Sequence, residues 1–442
     1  MKIKLVDAPT RVVKVTLPGD TPSQRLYSLD ALRGFDMFWI MGAEDIFQEI
    51  NNATGKTSPF WSTLANQLTH PAWNGFHFYD LIFPLFLFMA GAATPFSVGR
   101  ELEKGKSQKD VLFRVIKRGL ILVMLGLIAN NGFQLGVMLP LLCVAGIIAL
   151  MRLSFNMVKP TIPAVALGLV FAAVLCTITT YIIRSGGEGI QIADKIRFGS
   201  VLGRIGLAYM FANIIYLYCG KTAQIIWFGA ILLGYWLMLK FTSAPGFAPG
   251  DLTQAGNFAS YLDRLFLPGK LYLGNHDPEG ITSTIPAIST GLLGILAGTY
   301  LKTSTAEGAK KAGMLALTGA IFIVIALLWN YDFPINKNLW TSSFVMNVGG
   351  ISLLLLSLFY FVIDVKGYKK WAFFFKVIGM NSILIYMSGH FIGWEHANNG
   401  FFQWLGQLLG DPYNAVALAI TYVGVKWAFL YFMYKKNVFL RV

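Results

Sequence analysis

Charge is scarce in this sequence, and acid is scarcer than base. Only 13% of the 442 residues are charged against 55% hydrophobic, and 36 lysines and arginines face 22 aspartates and glutamates. So little charge excludes a water-soluble globular chain of this length. Cysteine is rarer still: Cys143, Cys176 and Cys219 all fall in apolar stretches, which argues against a disulfide framework and for small packing residues. A hydrophobic leader is also missing. The opening MKIKLVDAPTRVVKVTLPGD has no apolar core, so residues 1–24 read as a retained polar tail.

What the chain does have is a series of separate apolar runs, each of about 18 to 24 residues, the length a helix needs to cross roughly 30 Å of hydrocarbon. The runs lack the alternation of a membrane barrel, so the backbone must satisfy itself within helices. The expected fold is an all-α, multi-pass integral membrane protein. About twelve spans are expected, at 30–50, 78–98, 112–130, 133–151, 161–183, 199–219, 223–241, 283–301, 312–330, 341–364, 372–392 and 413–434. Read alternately, with Arg114, Lys117 and Arg118 at the start of the third span and Lys240 at the end of the seventh counted with their adjoining loops, one set of loops and tails carries 24 lysines and arginines and the other set 8. The positive-inside rule then puts both termini, including the 435–442 tail, in the cytoplasm. The net charge of +14 is thereby an orientation signal with some attraction to anionic lipid, not a nucleic-acid footprint.

In that topology all five histidines fall on or beside the non-cytoplasmic face: His70 and His77 in THPAWNGFHFYD, His276 in GNHDPEG, and His390 and His396 in SGHFIGWEH. None of them shows helical ligand spacing and the nearby acids complete no set, so no metal is expected. Charges inside the spans form a second group, because burying them is expensive unless they pair or line a wet cavity. Asp30 and Arg33, three residues apart, can pair with each other. Arg204 in VLGRIGLAY has no local partner and is expected to face a polar lumen. Asn381 and Ser382 in GMNSILIY can act as helix–helix hydrogen-bond glue or as site residues.

Six segments in order, RLYSLDALRGFDMFW, THPAWNGFHFYDLIFPLFLFMAGA, VLGRIGLAY, HDPEGITSTIPAI, INKNLWTSSFV and VIGMNSILIY, resemble the heparan-α-glucosaminide N-acetyltransferase family and its bacterial relatives. The resemblance covers about residues 25–392. It implies a transmembrane acyltransferase-like domain over 25–434 with a ten-helix core, in the bacterial inner membrane; the chain departs from the family at 135–195, where about 60 mostly apolar residues intervene and read as an extra helical hairpin. It also implies transfer of acetyl from cytoplasmic acetyl-CoA to the amine of a glucosamine-type sugar on the outer face, and a homodimer is plausible from the family. Its active histidine carries over to His70. The chain departs from the family at MGAED, where an asparagine is often found; Glu44 or Asp45 can substitute there.

Transfer from a thioester to a sugar amine needs a proton removed from an ammonium and a tetrahedral oxyanion stabilised. His70 can be the general base or can carry the acetyl group itself. Asp80 can orient an imidazole or cap a helix. Asn74, Lys337 and Asn338 are candidate donors to the oxyanion or to sugar hydroxyls, Trp73 and Trp340 can stack on a sugar face, and Asp277 and Glu279 can bind the acceptor ammonium or simply form a turn. Arg33, Lys117, Arg118 and Arg204 are candidate contacts for acetyl-CoA. A transporter of amino sugars is the competing class, since buried charges in many spans also describe secondary transporters.

Overall fold

The structure is a computed structural model that describes residues 26–132, 141, 144–148, 151 and 196–440. Most of the expected hairpin at 135–195 and of the span at 133–151, and all of the 161–183 span, the 1–24 tail, Cys143 and Cys176, lie outside the described residues. Among the described residues the named elements are all helical: α1 Tyr27–Phe38, α2 Glu44–Ala53, α3 Pro59–Gln67, α4 Ile82–Ala92, α5 Thr94–Glu103, α6 Gln108–Asn131, α7 Val201–Tyr218, α8 Lys221–Phe241, α9 Phe258–Phe266, α10 Ile281–Thr303, α11 Gly308–Trp329, α12 Ser342–Phe359, α13 Ala372–Met380, α14 Ser382–Ser388, α15 Trp394–Leu409 and α16 Tyr413–Lys435.

Seven helical stretches among the described residues are long and apolar enough to cross a membrane: 78–103, 201–218, 221–241, 281–303, 308–329, 342–365 and 413–435. Three further expected spans are helical but depart from a plain apolar rod. The first breaks at Gly42, whose φ of 116° sits inside a π-turn joining α1 to α2. The third, α6, carries Lys109, Asp110, Arg114, Lys117 and Arg118. The eleventh divides at Asn381 into α13 and α14. Helix α15 was not expected, because WEHANNGFFQWLGQLL mixes polar and apolar residues and reads as an outer loop.

The helices approach through glycine. A methyl group on Gly91, Gly294 or Gly298 would collide with backbone of the facing helix in the α4–α10 pair. Small residues let helices in lipid gain contact where no hydrophobic force drives them together. Phe88 faces Gly294 and Ala92 faces Gly298, so α4 and α10 run the same way with their first turns at one end. That register brings the segment before α4, which carries His70 and Asp80, to the same end as the HDPEG turn before α10.

Candidate active site

The 69–81 segment is shaped by its own polar groups. The His77 N–H donates to Asp80 Oδ2 at 3.0 Å and the Asp80 N–H donates to the His77 carbonyl at 3.0 Å, closing a cap over the short turn that starts α4. The His77 ring donates from Nδ1 to the Thr69 carbonyl, 3.1 Å away. Gly75, with φ 119°, gives its N–H to the Ile335 carbonyl at 2.9 Å. Asn74 accepts from Asn336 Nδ2 at 2.9 Å, and the Trp73 indole donates to the Leu252 carbonyl at 3.0 Å. The loop is thus fastened to two distant parts of the chain.

Those ties bring three chemical groups together. Asp80 is fully buried and its Oδ1 accepts from His70 Nδ1 at 2.7 Å. Since the carboxylate can only accept, Nδ1 carries the proton and the Nε2 lone pair is left facing outward. Lys337 Nζ stands 3.0 Å from that Nε2, 3.2 Å from Nδ1 and 3.4 Å from Asp80 Oδ1, and so lies over the face of the imidazole and leaves the in-plane Nε2 lone pair open. Burial pushes the Lys337 ammonium below its ordinary lysine value, and the Asp80 and Glu279 carboxylates pull it back only part of the way. The His70 side chain keeps 48% of its surface, so the imidazole is reachable. On its other side lies the Tyr79 ring, 5.0 Å between centroids. The Tyr79 hydroxyl donates to Glu44 Oε1 at 3.0 Å, so Glu44 reaches the tyrosine behind the histidine and not the histidine itself.

Beside this group the HDPEG turn is locked. Asp277 takes a two-pronged contact from Arg197, Nε to Oδ2 at 2.9 Å and Nη2 to Oδ1 at 2.6 Å, and Glu279 is bonded to the same guanidinium. Burial works against the Arg197 charge, but the two carboxylates outweigh it and hold it above its ordinary value. Asp277 and Glu279 are therefore already paired. Arg204 is buried, donates to the Pro278 carbonyl and to Ser283 Oγ, and lies 4.6 Å over the Trp340 ring. Trp340 itself is wholly buried between Phe83 and Phe344, so neither ring face is open to a sugar. Of the two expected stacking residues, only Trp73 is partly exposed.

His276 closes the cluster. It is 1% exposed, bonds Ser260 Oγ through Nδ1 at 2.6 Å and meets Trp73 edge-on at 5.2 Å. Burial pushes its pKa down to about 4, against a partial lift from Asp277. In the unfolded chain it would titrate near ~6.5. Between those values the unfolded state binds more protons, so this contribution is fully present above pH ~6.5 and is lost as the pH falls toward about 4. The protection of 270–282 against hydrogen exchange in detergent, corrected for the intrinsic slowing of amide exchange in acid, is expected to fall as the pH drops through that interval, and its pH slope should flatten in His276→Gln. An equal slope in the variant would assign the acid sensitivity to another group.

The remaining candidates are placed elsewhere. Arg33 lies 3.9 Å from Asp30 on its own helix. Arg118 of α6 covers the Tyr209 ring of α7 at 4.7 Å, and Lys117 is exposed. Asn381 binds the chain end, donating to the Val438 carbonyl at 2.9 Å and accepting from the Leu440 N–H at 3.0 Å; Ser382 is buried beside it. Asn338 is half-buried in the turn after Lys337. Nothing in the sequence singles out Arg197 or Asn336 as site residues. No group of three or more histidine, cysteine or acidic side chains among the described residues is arranged to hold a metal ion. A narrow apolar crevice of about 30 Å³ lies between α1, α4, α7 and α14, lined by Met37, Ile40, Phe83, Leu202, Ile383 and Tyr386 among others.

No protein-family model matches the chain. Two curated proteins do, both named heparan-alpha-glucosaminide N-acetyltransferase. The Mus musculus protein is 27% identical over 477 aligned positions, covering 95% of this chain and 62% of the relative. The Homo sapiens protein is 26% identical over 473, covering 95% and 60%. The chain thus spans about three fifths of the length of the curated relatives it matches. Along nearly all of its own length, the chain is a relative of the heparan-alpha-glucosaminide N-acetyltransferases.

Proposed function

We propose that the protein is a membrane N-acetyltransferase that moves acetyl from acetyl-CoA to the amine of a glucosamine-type sugar. The observation that carries this reading is the His70–Asp80 pair at 2.7 Å with Lys337 3.0 Å from the free imidazole nitrogen. A proton-fixed imidazole with an outward lone pair can take a proton from an ammonium, or can take the acetyl group itself. The names of the two relatives supply the transferred group and the acceptor class, and acetyl-CoA as donor is what the resemblance implies. Asn74 and Asp80 serve by holding the loop and the histidine. Lys337 faces the point where an oxyanion would form, and Trp73 offers the exposed aromatic edge.

In the finer form of the proposal the chain has about twelve spans in a bacterial inner membrane, with both termini cytoplasmic. The donor then enters from the cytoplasm and the acceptor from outside. The asymmetry of lysine and arginine between loops supports that orientation. Arg33, Lys117 and Arg118 would meet the nucleotide, and Arg204 holds the HDPEG turn. A homodimer is part of the proposal only by the family's example.

The test uses proteoliposomes of one orientation with acetyl-CoA on the cytoplasmic-equivalent side and glucosamine on the other. N-acetylglucosamine is expected to accumulate on the acceptor side. Product formed equally well with both substrates outside and none within would abandon the trans-membrane arrangement. Glucosamine carried across without gaining 42 mass units would replace the enzyme by a transporter.

A further inference from the structure

The acceptor's amine has a counterpart already built into the protein. Lys337 Nζ is a primary amine 3.0 Å from His70 Nε2, 3.2 Å from Nδ1 and 3.4 Å from Asp80 Oδ1, placed over the imidazole face, the side from which an amine would attack an acyl carbon lying in the ring plane at Nε2. A sugar ammonium about to be deprotonated by His70 would need those same two neighbours. Nothing else among the described residues presents an amine there. The lysine reaches this point from the tight turn 336–341, where the Leu339 N–H donates to Asn336 Oδ1 at 2.9 Å and the Trp340 N–H to the Lys337 carbonyl at 3.1 Å. Buried Trp340, with φ 52°, anchors that turn, so the amine is delivered by a fixed piece of backbone.

The geometry points to Lys337 as a site of self-acetylation: in the absence of acceptor it occupies the acceptor's amine position and takes the acetyl group, which closes the active site. The inference rests on the acetyltransferase reading. An acyl carbon bonded to Nε2, or held beside it on CoA, lies within the ~3–3.5 Å reach of a near-attack arrangement. Burial, which favours the uncharged amine, works in the same direction.

The step balances as an ordinary acyl transfer. A bond forms between Lys337 Nζ and the acetyl carbon, and the bond from that carbon to the CoA sulfur breaks. The electron pair leaves with the sulfur. Of the two protons that the ammonium gives up, one ends on the thiol and the other passes through His70 Nε2 to solvent. Where the acetyl group first rests on His70, the imidazole nitrogen is the leaving atom of the second half and the net change is the same. The product amide no longer carries a charge for Asp80, and its acetyl group fills the space in front of Nε2. The modified protein is inactive toward sugar.

Wild-type and His70→Ala proteins, each purified in full, are incubated with acetyl-CoA alone and with acetyl-CoA plus glucosamine, then digested and mapped by mass spectrometry. Without sugar, the wild-type peptide bearing Lys337 should gain 42 mass units, while exposed Lys104 and Lys117 stay at the level of random chemical acetylation. Turnover assayed afterwards should fall in step with that gain. Glucosamine should suppress the modification at least tenfold by competing for the position, and His70→Ala should leave Lys337 at background. A preparation that acetylates sugar yet leaves Lys337 unmodified after incubation with acetyl-CoA alone would overturn the inference while the function stands. Equal modification in His70→Ala would overturn it too, by showing that the lysine reacts unaided. If neither sugar nor lysine gains an acetyl group, the acetyltransferase reading fails and takes the inference with it.

Discussion

His70→Ala is expected to abolish acetyl transfer and leave the protein folded. The imidazole is half exposed and its one strong bond, to Asp80, holds chemistry more than packing. Loss of a general base costs on the order of 10²–10⁴ in rate, and loss of an acyl carrier can cost more. Turnover with acetyl-CoA and glucosamine is the measurement, with elution volume and thermal midpoint in detergent as the control for fold. A variant that keeps more than a tenth of wild-type turnover places the reaction elsewhere. His77→Ala should be far milder, because the His77 ring is spent on the Thr69 carbonyl.

Asp80→Asn should be nearly as damaging, although it removes almost no volume. The carboxylate accepts from His70 Nδ1 through one oxygen and from the His77 N–H through the other. An asparagine can keep the backbone bond only by turning its NH₂ toward His70. That donor forces Nδ1 to accept, moves the ring proton to Nε2 and removes the lone pair the reaction needs. Where an aspartate orients a catalytic histidine, this change lowers kcat by about 10⁴. The expected loss here is ~10³–10⁴ in kcat with a smaller change in KM, since the ring stays in place with the wrong tautomer. A nitrogen-edited NMR spectrum of labelled histidine would report the tautomer directly. Full activity in a variant with Nε2 protonated would refute the assignment of that nitrogen.

The membrane character of the fold was legible because hydrocarbon thickness dictates run length, and each of the seven apolar spans among the described residues falls on an expected one. The breaks were harder to read. Gly42 and Asn381 are single residues in otherwise helical text, and only the chain's three-dimensional path tells whether such a residue bends a helix. In the site, His70, Asp80 and Lys337 could be named from residue type and motif, but their meeting could not, as His70 and Lys337 are 267 positions apart. Asp277 and Glu279 were visible as acids. Their partner Arg197 stands just past a long apolar stretch with no spacing that ties it to them. A turn carrying two acids beside a structural proline and glycine was the available signal that a cation would be supplied from outside the motif. Trp340 looked like an interface aromatic because tryptophan is common there, and burial between Phe83 and Phe344 is a tertiary fact.

The long-range ties of the 69–77 loop set a timetable for the newborn protein. His70 and Asp80 leave the ribosome 267 and 257 residues before Lys337. At 5–20 residues per second that is a wait of roughly 13–50 s. Throughout it the histidine loop lacks its braces at Ile335 and Asn336, and for the first 182 residues the one at Leu252 as well, and the imidazole has no lysine beside it. The assembled His70–Asp80–Lys337 group therefore arrives as a late event of biogenesis, when the segment around residue 336 is laid against the loop, and a chain stalled before that point lacks it.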